Sequence, residues 1–259
     1  MGQLIKQRLA ENKLVRIFAV GRLVHPVTVE VFGCAGGFHA AWFDQEHCGL
    51  TYEQVLHLAI ACRANGLDSF ARVAPYDYSV ATQFLEAGAG GLMAARIESA
   101  QHAEQFVQWA KFAPRGSRGM NNSGRDADYS FLAQGAFAEQ ANREQFLAIQ
   151  IETLGALEAA DAIAAIDGVD LLFVGPSDLS QALGRLGQFD HADVWSAIDR
   201  VAGACRRHQK HWGIVPAGPE YAQKAFDKGC RMISLTNDVL TMRRGLEAIQ
   251  KAYAACFND

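Results

Sequence analysis

The residues of this chain best suited to chemistry are two carboxylates, Glu152 and Asp178, each near the end of a short apolar run. Phe146-Leu-Ala-Ile-Gln-Ile leads into Glu152, and Asp170-Leu-Leu-Phe-Val-Gly-Pro-Ser leads into Asp178. Between them Ala156, Leu157, Ala160, Ile163 and Ala164 recur at the spacing of one buried helical face. Strand, helix, strand at this spacing is a βαβ unit, whose parallel strands lie about 5 Å apart as neighbours. Carboxylates at the same end of such strands repel one another unless a cation joins them. A hard divalent cation takes oxygen ligands, at about 2.1 Å for magnesium. The same two residues could instead cap a helix and make a turn.

The elements that must position these carboxylates alternate along the whole chain. Strand-like runs are expected at 15–21, 40–46, 68–73, 91–96, 146–153, 170–175, 212–216 and 230–235. Helical periodicity falls at 27–35, 52–64, 79–87, 100–112, 192–208, 220–228 and 239–257, and in the segment between the two carboxylates. Eight strands alternating with eight helices is the count of an α/β (β/α)8 TIM barrel, one domain over residues 1–259. Gly33-Cys-Ala-Gly-Gly-Phe38 precedes a strand instead of opening a helix, so it is no dinucleotide fingerprint. One segment breaks the rhythm. Residues 113–143, with Pro114, Gly116, Gly119, Asn121, Asn122 and Gly124, are expected as a long loop after strand and helix four. Connections of that length are usually functional or interfacial.

Composition narrows the class. Half of the 259 residues are apolar and a fifth are charged, which suits a large core. The net charge of −4 is mild and the basic residues are dispersed, so no nucleic-acid surface is expected. The six cysteines include no C-x-x-C pair, which favours a reducing cytoplasmic compartment. No apolar run approaches the roughly 20 residues that span a membrane.

In such barrels chemistry gathers at the C-terminal ends of the strands. Those ends carry Asp44, Glu46 and His47, then Arg72, Arg96, Gln150 with Glu152, Ser177 with Asp178, Val215-Pro216 and Thr236-Asn237-Asp238. Histidine moves protons near neutral pH. A guanidinium at Arg72 requires an anion, either from the protein or from a substrate. The seven lysines fall in helices or at the opposite strand ends, which argues against Schiff-base chemistry. The loops after strands seven and eight lack the glycine cluster of a barrel phosphate site.

Asp44-Gln-Glu-His47, Ala71-Arg72-Val, Pro114-Arg-Gly-Ser-Arg-Gly119, Gln150-Ile-Glu152-Thr and Gly175-Pro-Ser-Asp178-Leu-Ser together resemble the pyruvate-dependent class II aldolases. That family includes 4-hydroxy-2-oxoheptanedioate and 2-dehydro-3-deoxyglucarate aldolases, and the resemblance covers nearly the whole chain. It implies a lyase that cleaves a 4-hydroxy-2-oxo acid to pyruvate, or a related 2-oxo acid, and an aldehyde, through a metal-stabilised enolate. It implies Mg2+, Mn2+ or Co2+ at Glu152 and Asp178, and an enolate oxygen steadied by Arg72. Gln150 then lines the pocket, and backbone N–H groups of Ser177 and Asp178 receive the substrate carboxylate. His47 serves the proton transfers, with Asp44 beside it and Glu86 at the place of the acid that orients it. The family's hexamers, built from dimers that exchange the last helix, imply an oligomer.

The chain departs from the family at Ala94-Ala95-Arg96, where a proline is common, and at Cys48, where a smaller residue is common. Both changes bear on the acceptor pocket and leave the metal carboxylates alone. Two alternatives remain at this stage: a citrate lyase β-like lyase acting on acyl-CoA, and a catalytically silent barrel kept for binding.

Overall fold

The computed structural model describes residues 3–257. It begins with α1 (Gln3–Ala10), β1 (Val15–Val20), α2 (Pro26–Ala35), β2 (Ala40–Asp44) and α3 (Gln45–Cys48). There follow α4 (Tyr52–Ala64), β3 (Asp68–Val73), α5 (Tyr78–Glu86), β4 (Gly91–Ala94), α6 (Ala100–Ala110) and α7 (Gln134–Glu144). The second half holds β5 (Phe146–Ile151), α8 (Leu154–Glu158), α9 (Ala160–Ala165), β6 (Leu171–Val174) and α10 (Pro176–Ala182). It ends with α11 (Ala192–Arg207), β7 (His211–Ile214), α12 (Pro219–Asp227), β8 (Cys230–Asn237) and α13 (Asp238–Ala252). Among the described residues the eight strands pair in parallel and close in sequence order, so the expected (β/α)8 barrel is what forms.

Side chains alternate across each strand, and that period decides what reaches the interior. Val15 and Ile17, Ala40 and Trp42, Phe70, Met93, Phe146 and Ala148, Leu171 and Phe173, and Met232 fill the barrel. Their neighbours Phe18, Phe43, Ala71, Leu147, Ile149 and Leu172 pack outward under the helices. Continuing the inward rows by two residues brings Asp44 after Trp42, Arg72 after Phe70, and Gln150 then Glu152 after Ala148. The site is therefore the polar top layer of an apolar stack. Helix α1 plugs the other end with Ile5 and Leu9, and the Asp68 carboxylate accepts from the Ile5 N–H at 2.7 Å.

Two expectations change. Residues 113–143 are not loop throughout, because Gln134–Glu144 is α7 and Arg125–Ala127 is a 3-10 turn. Only Phe137 and Ala141 of α7 are buried, too short a stripe to stand out beside the Gly- and Asn-rich residues before it. The single helix expected between β5 and β6 is two, α8 and α9, although its apolar face is buried as expected. Helix α13, whose apolar face suits packing on a barrel of its own or of a neighbour, does not cover its own. Of its residues only Asp238 is buried, while Met242, Leu246 and Ile249 are each more than half exposed.

The loop before α7 is anchored by an ion pair with no solvent access. Arg118 Nη2 lies 2.6 Å from Asp126 Oδ2, and the guanidinium packs over Phe112 at 4.6 Å. Removing one partner strands the other charge, which costs about 3–5 kcal/mol. Arg118→Met should lower stability to unfolding in urea by that amount, and Arg118→Met with Asp126→Leu should recover part of it. Equal stability of wild type and Arg118→Met would remove the pair from its anchoring role.

Candidate active site

Glu152 is seated by three elements. It follows β5 directly and is 2% exposed. Its Oε1 accepts the backbone N–H of Arg96 at 2.8 Å, and its Oε2 accepts from Gln150 Nε2. Arg96 adopts φ 56°, a left-handed conformation that costs a non-glycine residue energy. That conformation goes with an N–H aimed at the carboxylate. Glu152 is not the cap of the helix that follows, since Thr153 caps α8 with its side chain. The β6 terminus closes on the same group. A Cβ on Gly175 would stand 2.6 Å from Gln150 Nε2 and 2.9 Å from Glu152 Oε2, so a side chain there would displace the Gln150–Glu152 pair.

After Gly175 the chain turns into α10 with Pro176 at its first position, which puts Ser177 and Asp178 in the first turn. No side chain caps that end. Early helix N–H groups lack intrahelical partners, so those of Ser177 and Asp178 are available to an anion. Asp178 is half-buried and Ser177 exposed.

Across the mouth, Asp44 and Arg72 are register partners on β2 and β3. Arg72 Nη2 donates to both Asp44 oxygens at 2.8 Å, and Nε donates to Oδ1 at 3.1 Å. Its guanidinium lies over the Trp42 ring at 4.7 Å, and Glu46 Oε2 is 3.3 Å from Nε. Among the described residues Nη1 makes no protein hydrogen bond. Asp44 also caps α3, accepting the His47 N–H at 3.3 Å. The one carboxylate thus fixes both the guanidinium and the turn bearing the imidazole. His47 itself is exposed at the rim. A cavity of about 610 Å³ opens here, lined by Trp42, Asp44, His47 and Arg72 with Pro216, Thr236 and Asn237. Gln150, Glu152 and Asp178 do not line it; they belong to the β5 and β6 side of the mouth.

Burial, then the negative charges of Glu46 and Asp178, push the Glu152 carboxyl up to about 7, against the Arg96 N–H and the Arg72 charge. A bound divalent cation reverses that balance. The residues fit one in a further respect. Gln150 Oε1 is a buried oxygen without a hydrogen-bond donor. Among the described residues no group of three or more His, Cys, Asp or Glu side chains converges on a metal position. A two-carboxylate site leaves the remaining positions to water and substrate, as is usual for magnesium.

Two further titratable residues are held by partners away from His47. Within the chain Glu86 is not brought to His47. It lies at the end of α5, and its Oε2 accepts from Asn121 Nδ2 at 2.9 Å. Lys111 is buried, and burial lowers it to about 8, but its ammonium donates to the Asn142 and Gln145 carbonyls where β5 begins. It sits at the end opposite Glu152 and cannot serve as a Schiff-base lysine there. Sequence reasoning placed Glu46 and Arg96 at the strand ends without giving either a role of its own, and it did not name Trp42.

The stability of the metal-free protein should respond to pH through Glu152. Its folded value lies above the ordinary 4.5, so the neutral form stabilises the fold fully below about 4.5. That contribution is lost as pH rises through about 7. Tm should fall over this window, and Glu152→Gln should flatten the fall. At pH 8 a divalent cation at a hundredfold excess over its Kd should restore about 2.7 kcal/mol, or roughly 5–10 °C in Tm. Thermal melts with and without Mg2+ or Mn2+ check both.

A family model for HpcH/HpaI aldolase/citrate lyase matches residues 36–244. The 5-keto-4-deoxy-D-glucarate aldolase of Shigella boydii serotype 18 is 29% identical over 241 residues, 93% of each chain. The HpcH/HpaI aldolase from Desulfitobacterium hafniense DCB-2 superposes with a TM-score of 0.88 at 28% identity, covering 96% of this chain and 97% of that one. The citrate synthase SbnG superposes with a TM-score of 0.85 at 25% identity, covering 98% and 99%.

Proposed function

The chain belongs to the HpcH/HpaI aldolase/citrate lyase family, and from that premise we propose a single-domain class II aldolase that cleaves a 4-hydroxy-2-oxo acid to pyruvate, or a related 2-oxo acid, and an aldehyde. The observation that carries this reading is the buried Glu152 carboxylate, hemmed by Glu46 and Asp178 and facing the Arg72 guanidinium across the barrel mouth. The resemblance to the class II aldolases implies a divalent metal. Glu152 and Asp178 would hold it, and when bound it supplies Lewis-acid polarisation of the keto group.

The chain's own residues supply the rest. Ser177 and Asp178 N–H groups at the start of α10 receive the substrate carboxylate and set the 2-oxo acid end-on. Gln150 Nε2 holds the Glu152 carboxylate in one orientation. Arg72 donates through Nη1 to the C2 oxygen as negative charge develops there, while Asp44 and the Trp42 ring keep the guanidinium from moving. An imidazole nitrogen of His47 takes the proton of the C4 hydroxyl as the C3–C4 bond breaks. The bonding pair passes towards C2, which gives the enolate of the oxo acid and releases the aldehyde. Return of a proton to C3 gives pyruvate. The aldehyde portion extends into the cavity beside Pro216, Thr236 and Asn237. The acyl-CoA alternative is disfavoured, because the curated relatives matched over 93% of their length are named aldolases.

Location and assembly follow from surface features. All six cysteines are free, which suits a reducing cytoplasm, and no helix among the described residues is long and apolar enough to cross a membrane. In α13, Val239, Met242, Leu246 and Ile249 form an exposed stripe, continued by Tyr253. Val27 and Val31 on α2 and Phe226 on α12 are left open beside the β1–β8 seam, where a last helix would pack. A second copy that brings its own α13 buries both sets, at about 1.5–3 kcal/mol per large side chain. The assembly is an oligomer larger than a dimer, a hexamer built from three such pairs.

Two measurements test this. Pyruvate release from a panel of 4-hydroxy-2-oxo acids should require Mg2+, Mn2+ or Co2+. His47→Ala should slow it roughly 10²–10⁴-fold. Arg72→Lys should slow it about 10²-fold or more despite keeping the charge, because an ammonium lacks the planar fork. Metal-independent release, or full activity in both variants, would sink the assignment. Light scattering should show the oligomer, and Leu246→Glu with Ile249→Glu should dissociate it; a stable, active wild-type monomer at micromolar concentration would refute the assembly.

A further inference from the structure

One buried carboxylate joins the last helix to the catalytic rim. Asp238, the first residue of α13, is 5% exposed. Its Oδ2 accepts three successive backbone N–H groups of the loop after β1: Gly21 at 3.0 Å, Arg22 at 2.7 Å and Leu23 at 2.7 Å. Its Oδ1 accepts the Val239 N–H at 2.8 Å. Burial opposes ionisation, yet the loop donors hold this carboxyl below the usual range. Hydrogen bonds to an ionised acceptor are about twice as strong as neutral ones, so the loop is firmly pinned.

The pinned loop presses on the turn that carries His47. Arg22 Nη2 donates to the His47 carbonyl at 3.1 Å. A Cβ on Gly21 would lie 2.6 Å from Cys48 Sγ and 3.3 Å from Asp44 Cβ, so the loop backbone touches both flanks of the turn. Helix α3 has only four residues. One turn has little stability of its own, so its position is set by what surrounds it. We propose that Asp238 is a positioning residue for His47, acting through the 21–23 loop and the Arg22 guanidinium. The proposal rests on the reading of His47 as the group that moves the proton.

Exchange of pyruvate methyl protons with D₂O, followed by NMR on the Mg2+-loaded full chain, isolates the proton step from carbon–carbon cleavage. Asp238→Asn leaves one acceptor oxygen in place of two. A displacement near 1 Å costs on the order of 10²-fold, so kcat for exchange should fall about 10- to 100-fold, with KM for pyruvate and Mn2+ affinity held within about twofold. Arg22→Met, at an exposed position, should lower kcat in the same sense, and Arg22→Lys should restore most of it by donating to the same carbonyl. The imidazole signals of His47 should shift in Asp238→Asn without pyruvate present. Unchanged kcat together with unmoved His47 signals overturns the proposal, as does a parallel loss of KM and Mn2+ affinity. Should Asp238→Asn fail to fold, Arg22→Met decides by the same readouts. If the wild type exchanges no protons, the aldolase reading fails, and the His47 signals alone then decide the coupling.

Discussion

Negative charge held out of water at the mouth of the barrel governs this structure. Glu152 is almost wholly buried, Asp178 and Glu46 add like charge, and the Arg96 N–H and Arg72 guanidinium only partly offset them. A carboxylate in that setting must take a proton or a cation. Much of the local architecture holds this conflict in place. Gly175 leaves room for the Gln150–Glu152 pair that a side chain would displace, Gln150 spends its amide on Glu152, and Arg96 takes up a left-handed backbone. Packing elsewhere in the barrel supports the arrangement, because the apolar rows beneath Arg72 and Gln150 leave these side chains nowhere to go but upward.

A second constraint acts through Asp44. Its carboxylate caps the turn carrying His47 and grips Arg72 from the same position. The imidazole-bearing turn and the guanidinium are therefore mechanically linked. Asp238 extends that link through the loop after β1 to the start of α13. The helix whose exposed stripe is read as an assembly surface begins at the residue that pins the loop after β1.

Much of this was legible in the sequence because it depends on period. Parallel strands buried on both faces show as short apolar runs, and alternation with helices gives the barrel its count. Counting by two from Phe70 and Ala148 then brings Arg72, Gln150 and Glu152 inward. Other features carry no periodic signal. The left-handed Arg96 depends on how β4 leaves the sheet, and α7 buries only Phe137 and Ala141. Glu86 marks where position in the chain stops informing. Its position in the chain fits an acid that orients the histidine, but α5 runs back along the barrel and leaves it with Asn121. For α13 the apolar face was plain, while the identity of the barrel it covers was not, because amphipathicity records that a face is buried and not by which copy.

The central claim is that Glu152 and Asp178 hold a divalent cation against which the 2-oxo acid binds. Mn2+ titration followed by electron paramagnetic resonance, with the relaxation of ¹³C-labelled pyruvate read on the same samples, tests it most directly. The account requires one strong Mn2+ site per chain, lost in Glu152→Gln with Asp178→Asn, and carboxylate and keto carbons of pyruvate relaxed strongly by that ion. Mn2+ binding unchanged in the double variant, or pyruvate carbons untouched by the bound ion, would contradict it.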